Sequence, residues 1–267
     1  MNRTVALRLL AAAGIAAALV LALLLAPVKN EAASAKPSRA AVPILVYHEI
    51  RTAPAGARSP ALYVRPSDFA AQVRALRRAG YRAVTLQRAW DAWHGRATLP
   101  PRPVVLSFDD GYASQVRIAL PVLRRQRWPG VLNLALDWVD DLGGDAAVQR
   151  LIAAGWQIDG HSRTHPDLTQ VGDAQLADET AGARAELRRR FGIGARFFAY
   201  PYGRHDARVA AAVRQAGYLA ATTVEAGFAT RAHPFALARV QVSSGTSAQR
   251  LLRRLRELRS RAASVRR

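Results

Sequence analysis

From Pro43 onward the chain alternates short apolar runs with amphipathic stretches of helical period, and this alternation restricts its possible folds most. The apolar runs lie at 44–46, 104–106, 131–136, 156–158, 197–200, 219–223 and 237–242. Between them, 67–78 carries Phe69, Val73 and Leu76 at helical spacing, with Gly80 as a stop. Further helices are expected over 114–126, over 145–154 (ended by Gly155), over 173–190 (with Asp173 as N-cap), over 206–216 (closed by Gly217) and over 247–259. Strands separated by helices imply βα units and a parallel sheet. Periodicity alone leaves open sheet and barrel undecided.

Polar clusters follow the strands. Tyr47-His48, Asp109-Asp110-Gly111, His161 with His165, and Tyr200-Pro201-Tyr202-Gly203 each stand just past an apolar run. In a parallel α/β fold the carboxyl ends of the strands share one face, and sites are built there. Four clusters at four strand ends are therefore expected to converge.

Their chemistry is that of a hydrolytic metal site. Adjacent carboxylates repel unless something positive sits nearby, and neighbouring strand residues point to opposite faces. A turn beginning at Gly111 would bring Asp109 and Asp110 to one place, although Asp-Gly is also a common turn pair. His161 and His165, four residues apart, can meet one ion from one helical turn or from a compact loop. Asp110, His161 and His165 then supply one carboxylate and two imidazoles, and three protein ligands with an open position suit hydrolysis. Asp109 is left to take a proton from water. The aromatic turn 198–203 suits a sugar face and can present a backbone N–H to an oxyanion. With no cysteine in the chain, a Cys-ligated zinc site, a thiol nucleophile and a disulfide framework are excluded.

These motifs resemble the polysaccharide deacetylases of carbohydrate esterase family 4, the NodB-homology domains. The resemblance rests on Ser-Phe-Asp-Asp-Gly at 107–111, His-Ser-Arg-Thr-His at 161–165 and Tyr-Pro-Tyr-Gly at 200–203, and spans roughly 42–242. Leu-Val-Tyr-His at 45–48 is similar to the branch acting on poly-β-1,6-N-acetylglucosamine. The resemblance implies a distorted, incomplete (β/α)7 barrel and a divalent metal, usually zinc, on Asp110, His161 and His165. It implies Asp109 as general base and the Tyr202 backbone N–H at the oxyanion, with acetate and a free sugar amine as products. Two departures stand out. Many members carry an Arg, bracing the catalytic Asp, where this chain has Ala199. Many also carry a Leu-x-His acid where this chain reads Leu237-Ala238-Arg239. His48 is the candidate acid, with His161 as an alternative. Arg239 is expected to stabilise the oxyanion or brace Asp109. Tyr200, Pro201, Tyr202, Trp138 and Arg239 are the candidate substrate contacts. Trp90, Trp93, Trp128 and Trp156 read as core, and His94, His205 and His233 as surface residues.

The ends of the chain add context. Residues 9–28 carry no charge, follow Arg3 and Arg8, and stop at Lys29. Twenty such residues match a bilayer core, while 33–35 offers a cleavage site, so residues 1–28 read as a signal peptide or a retained membrane anchor. Residues 29–42 read as a linker, 43–246 as the deacetylase domain and 247–267 as a basic helix. Export to the periplasm or outer surface follows, anchored in the inner membrane if the segment is kept. The partner expected is an N-acetylglucosamine-containing polysaccharide. A net charge of +20, nearly all arginine, favours polyanions, but no nucleic-acid motif accompanies it and a monomer is expected. The rival readings are a catalytically silent glycan binder and a deacylase of another small acyl substrate.

Overall fold

The apolar runs become strands β1 (Ile44–Tyr47), β3 (Pro103–Asp110), β4 (Val131–Leu134), β5 (Gln157–Gly160), β6 (Phe197–Ala199), β7 (Ala220–Ala226) and β8 (Leu237–Gln241), with a two-residue β2 (Arg82–Ala83). The computed structural model describes residues 36–264. The strands run in the order β1-β8-β7-β6-β5-β4-β3, and β1 pairs back onto β3. All of these pairings are parallel, so the seven strands close into a barrel. β2 pairs only with the start of β3. The expected seven-strand barrel is therefore present, with a closed ring.

The period of two along each strand sorts side chains into two cores. Leu45, Leu106, Leu132, Phe198, Ala221 and Val240 pack with Phe69, Val73, Leu151, Leu187 and Val213 of the surrounding helices. The residues of opposite parity, Ile44, Val105, Val131, Phe197, Ala220 and Leu237, form a second cluster inside the ring. Trp90 and Trp93, from a helix over Leu86–Trp93, join this inner cluster and plug it. Thr85 caps that helix by accepting from Arg88 N at 3.1 Å. The strand and helix pattern of the sequence omits this helix, although a Thr before an amphipathic run is an N-cap cue. Trp128 and Trp156 are buried as well, so four of the five tryptophans serve packing.

The C-terminal helix, Ala248–Ser264, buries Leu251 and Leu255 in the outer core. Its apolar face is thus committed to the domain, and it belongs to the domain that the sequence reading ends at 246. The expected signal or anchor at 1–28 lies outside the described residues. Among the described residues no helix is long and apolar enough to cross a membrane.

The ring is thinnest between β5 and β6, whose register holds one pair, Gly160 with Phe198. Asp159 fills the gap. Its Oδ1 accepts from Phe197 N at 3.2 Å and Arg196 N at 3.3 Å, and its Oδ2 accepts from the Gln157 side chain. Burial pushes its carboxyl up to about 7, against the pull of those donors. A carboxyl raised in the folded state contributes stability that is full below the unfolded value, ~4, and is lost as pH rises through about 7. The unfolding free energy of the wild type is therefore expected to fall relative to Asp159→Asn between those limits, by at most ~1.4 kcal/mol per pH unit. Denaturant unfolding of both proteins from pH 5 to 8 checks this. A pH-independent difference would mean that Asp159 is already ionised in the fold.

Candidate active site

At the carboxyl ends of the strands the inner set changes from apolar to polar. Parity carries His48, Asp109, Asn133, His161 and Arg239 into the ring above the inner core, and Asp109 and Asn133 are direct register partners. Asp110 has the opposite parity and would point outward. It does not, because its φ is +81° and that of Gly111 is +123°. The reversal expected at Gly111 thus begins one residue earlier, and both carboxylates reach the site.

Asp110, His161 and His165 form one cluster. Asp110 Oδ1 lies 3.2 Å from His161 Nε2 and 3.4 Å from His165 Nε2, and the two Nε2 atoms are 3.1 Å apart. These separations are close to the edges of a tetrahedron with bonds of ~2.0–2.1 Å. Asp110 Oδ1 is buried and has no hydrogen-bond partner among the described residues. The His161 Nδ1 faces Ala199 O at 2.7 Å; donating there leaves Nε2 bare for an ion. Burial, helped by His161, holds His165 down at about 4. The donor set therefore fits a divalent cation with three protein ligands.

Backbone strain gathers around this cluster. Asp110, Ser162, His165 and Tyr202 all have positive φ, and outside the site Arg127 is the other such non-glycine residue described. Conformations of this kind persist only where their surroundings enforce them. Ser162 Oγ accepts from His165 N at 3.0 Å, closing the loop that carries both histidines.

Asp109 sits beside the cluster in a different environment. It is 2% exposed, and Oδ1 accepts from Asn133 Nδ2 at 2.7 Å. Arg239 NH1 lies 2.8 Å from each carboxylate oxygen. Burial alone would raise this carboxyl, but Arg239, His161, His48 and the Asn133 bond outweigh it and hold Asp109 well below the usual carboxylate range. Arg239 is 1% exposed and donates through Nε to Thr223 O at 2.7 Å. It is the brace of Asp109. The brace that Ala199 does not provide from β6 comes from β8. As a substrate contact Arg239 is corrected, since a fully buried guanidinium has no face left for a sugar.

His48 Nε2 lies 4.0 Å from Asp109 Oδ2. Burial lowers its pKa, against the attraction of Asp109 and Asp110. Gln115 ties the ends of β1 and β3 together, donating to Asp109 O at 2.6 Å and His48 O at 3.0 Å. It stands in a widened helical turn, Gln115–Ala119. Such turns are frequent at functional sites. Gln115 and Asn133 were not read from the sequence. The parity of Asn133 with Val131 was the available cue; Gln115 offered none.

The aromatic turn divides. Tyr202 is 58% exposed, and its ring stands 4.7 Å from that of His165. Trp138 lies 5.3 Å from the same imidazole, so His165 is flanked by two rings. Gly203 holds the turn close to β7, because a Cβ there would collide with Val224. Tyr200 and Pro201 are corrected as substrate contacts. Tyr200 has the parity of Phe198, is fully buried and donates to Phe235 O at 3.1 Å, and Pro201 is buried beside it. His205 stacks on Tyr200 at 4.6 Å, so it packs against the core.

Comparison with known proteins bears on this site. Residues 96–221 match the family model for polysaccharide deacetylase. The chain is 26% identical over 215 residues to YxkH of Bacillus subtilis, named for the same family, covering 79% of this chain and 74% of that protein. It is 37% identical over 100 residues to the poly-beta-1,6-N-acetyl-D-glucosamine N-deacetylase of Escherichia coli, which is 35% of this chain but 15% of that protein. The fold is similar to that of a Streptococcus pyogenes deacetylase solved with acetate, with a TM-score of 0.74 at 22% identity over 81% of this chain and 98% of that one. It is also similar to IcaB from Ammonifex degensii, with a TM-score of 0.69 at 25% identity over 79% and 95%.

Proposed function

We propose that this chain, a hydrolase that belongs to the polysaccharide deacetylases, removes acetyl groups from N-acetylglucosamine residues of a cell-surface polysaccharide with the help of a divalent cation. The observation that carries this reading is Asp109: a buried carboxylate braced by Arg239 and Asn133, beside a cluster with the donor set and spacing of a metal site. A protein that only gripped glycan would have no use for a base held in this way.

Asp110, His161 and His165 would hold the ion, and zinc suits two imidazoles and a carboxylate. When bound, such an ion supplies Lewis acidity toward water and an acyl carbonyl. Asp109 then takes the proton of the attacking water, kept ionised and aimed by Arg239. The backbone N–H of Tyr202, in its strained turn beside His165, would serve the developing oxyanion. The leaving amine needs a proton. His161 engages Ala199 O through one nitrogen and faces the cluster with the other, so neither is available. His48 is the group left, and it delivers the proton to the sugar nitrogen. Acetate and a free amine result. Trp138 and Tyr202 would carry sugar faces on either side of His165, and the exposure of Tyr202 suits a chain more than a small enclosed acyl substrate.

Poly-β-1,6-linked N-acetylglucosamine is the preferred substrate on this reading, supported by the E. coli relative over its aligned part and by the Leu-Val-Tyr-His of residues 45–48. The charge-free run at 9–28 supports export. The test is acetate release from β-1,6- and β-1,4-linked oligomers, with zinc supplied. Release from the β-1,6 oligomer, lowered about 10²–10⁴-fold in His48→Ala, is the expected outcome. An unchanged rate in that variant would remove His48 from the mechanism. No release from either oligomer, despite bound cation, would favour a glycan binder or another acyl substrate.

A further inference from the structure

The loop that carries both histidines is strained at its second and fifth residues, Ser162 and His165. One buried side chain from a different part of the chain holds it. Glu179 is 2% exposed and turns both carboxylate oxygens onto the loop. Its Oε2 accepts from Arg163 N at 2.7 Å and Thr164 N at 2.9 Å, and its Oε1 accepts from Thr164 Oγ1 at 2.5 Å. These are the two residues between Ser162 and His165. Without Glu179 the two N–H groups would have to find partners in a different loop conformation.

The helix that supplies Glu179 is deformed where it does so. The sequence predicts one helix over 173–190. The structure shows Asp173–Ala177 and Ala183–Phe191 joined by a widened turn, Asp178–Gly182. Thr180 Oγ1 caps the wider turn on Leu176 O at 2.7 Å. From it Asp178 grips the Arg163 guanidinium at 2.8 and 3.1 Å, while Glu179 points inward beneath the same residue's backbone. The pair clamps the loop from outside and below, 13 and more residues along the chain from the histidines it serves.

We infer that Glu179 is a positioning residue for the cation site: it fixes the loop so that His161 and His165 present their Nε2 atoms 3.1 Å apart. It touches neither substrate nor the ligand atoms and acts through the backbone at 163–164. The inference rests on the proposed reading of Asp110, His161 and His165 as ligands. Groups that orient metal ligands typically change metal affinity 10–100-fold when removed.

The experiment is a competition titration of Zn²⁺ against a chromogenic chelator, together with the absorption spectrum of the Co²⁺ form, for wild type and for Glu179→Ala, Glu179→Gln and Glu179→Asp. Gln keeps the length and an acceptor oxygen for the two N–H groups. Asp keeps the charge but is one methylene short of them. The expected order of Zn²⁺ affinity is wild type, then Gln within several-fold, then Asp and Ala 10–100-fold weaker, with an altered Co²⁺ spectrum in the last two. A merely charge-based or packing role would rank Asp above Gln, or would lower thermal stability while leaving affinity and spectrum unchanged. Either result overturns the inference. If Ala does not fold, the order of Gln and Asp decides alone. If wild type binds neither ion, the metal reading itself fails, a result distinct from equal affinity in all four proteins.

Discussion

Asp109→Asn is expected to lower kcat by about 10²–10⁴-fold while leaving cation affinity nearly unchanged. The two halves follow from the separation of roles at adjacent residues. Asp110, His161 and His165 converge on one point, whereas Asp109 faces Arg239, Asn133 and His48. An amide at 109 keeps the shape and an acceptor oxygen for Asn133 but cannot accept a proton from water. It also turns an N–H₂ toward Arg239, leaving a buried guanidinium without its anion. Acetate release and a chelator competition titration, run on the same preparation, check the prediction. Activity within tenfold of wild type would mean that another group is the base. Loss of cation binding would place Asp109 among the ligands.

Arg239→Met should have the second large effect, on stability and on the pH profile together. Removing one member of a buried ion pair typically costs about 3–5 kcal/mol, and this pair is 1% and 2% exposed. The sign of the pH effect follows from what remains. Burial raises the Asp109 carboxyl and Arg239 is the strongest group opposing it. Without Arg239 the carboxyl titrates at a higher pH, and the acid limb of kcat/KM moves upward with it. Asp109 in the wild type contributes stability above the ordinary carboxylate value that is lost as pH falls; the variant loses part of that contribution. Lysine is no substitute, since it cannot reach both carboxylate oxygens and Thr223 O from one planar head. Combining Arg239→Met with Asp109→Asn should cost less than the sum of the two, because neither charge is then left alone. Additive losses, or an unmoved acid limb, would show that Arg239 does not control Asp109.

The departures that the sequence presents as losses are explained by geometry. Ala199 removes an Arg from the end of β6, and Arg239 stands where a Leu-x-His motif would place its histidine. In the barrel β6 and β8 are both neighbours of β7, so an Arg from β8 reaches the same carboxylate. The chain retains the brace at a different sequence position, and the ion pair with Asp109 decides between the two roles the sequence leaves open for Arg239. The acid shows the same logic: His48 enters from β1, the strand between β8 and β3.

Much of the architecture was legible because it depends on local order. Apolar runs with a period of two, separated by helical stretches, specify βα units, and the polar clusters at their ends mark the face where a site forms. The residue types at 109, 110, 161 and 165 carried the chemistry. Tyr200 misled because an aromatic in a motif reads as a contact, while its strand parity sends it to the outer core.

The sequence by itself determined the strand and helix pattern, the donor set and the face on which it gathers, since these follow from hydropathy, spacing and side-chain chemistry. Only the tertiary structure decided that the sheet closes, because closure depends on β1 meeting β3 across the chain. Only it decided that Asp110 turns inward, through a positive φ at a non-glycine residue, and that Arg239 and Glu179 serve Asp109 and the histidine loop. Those roles rest on contacts between residues up to 130 positions apart, which no local pattern encodes.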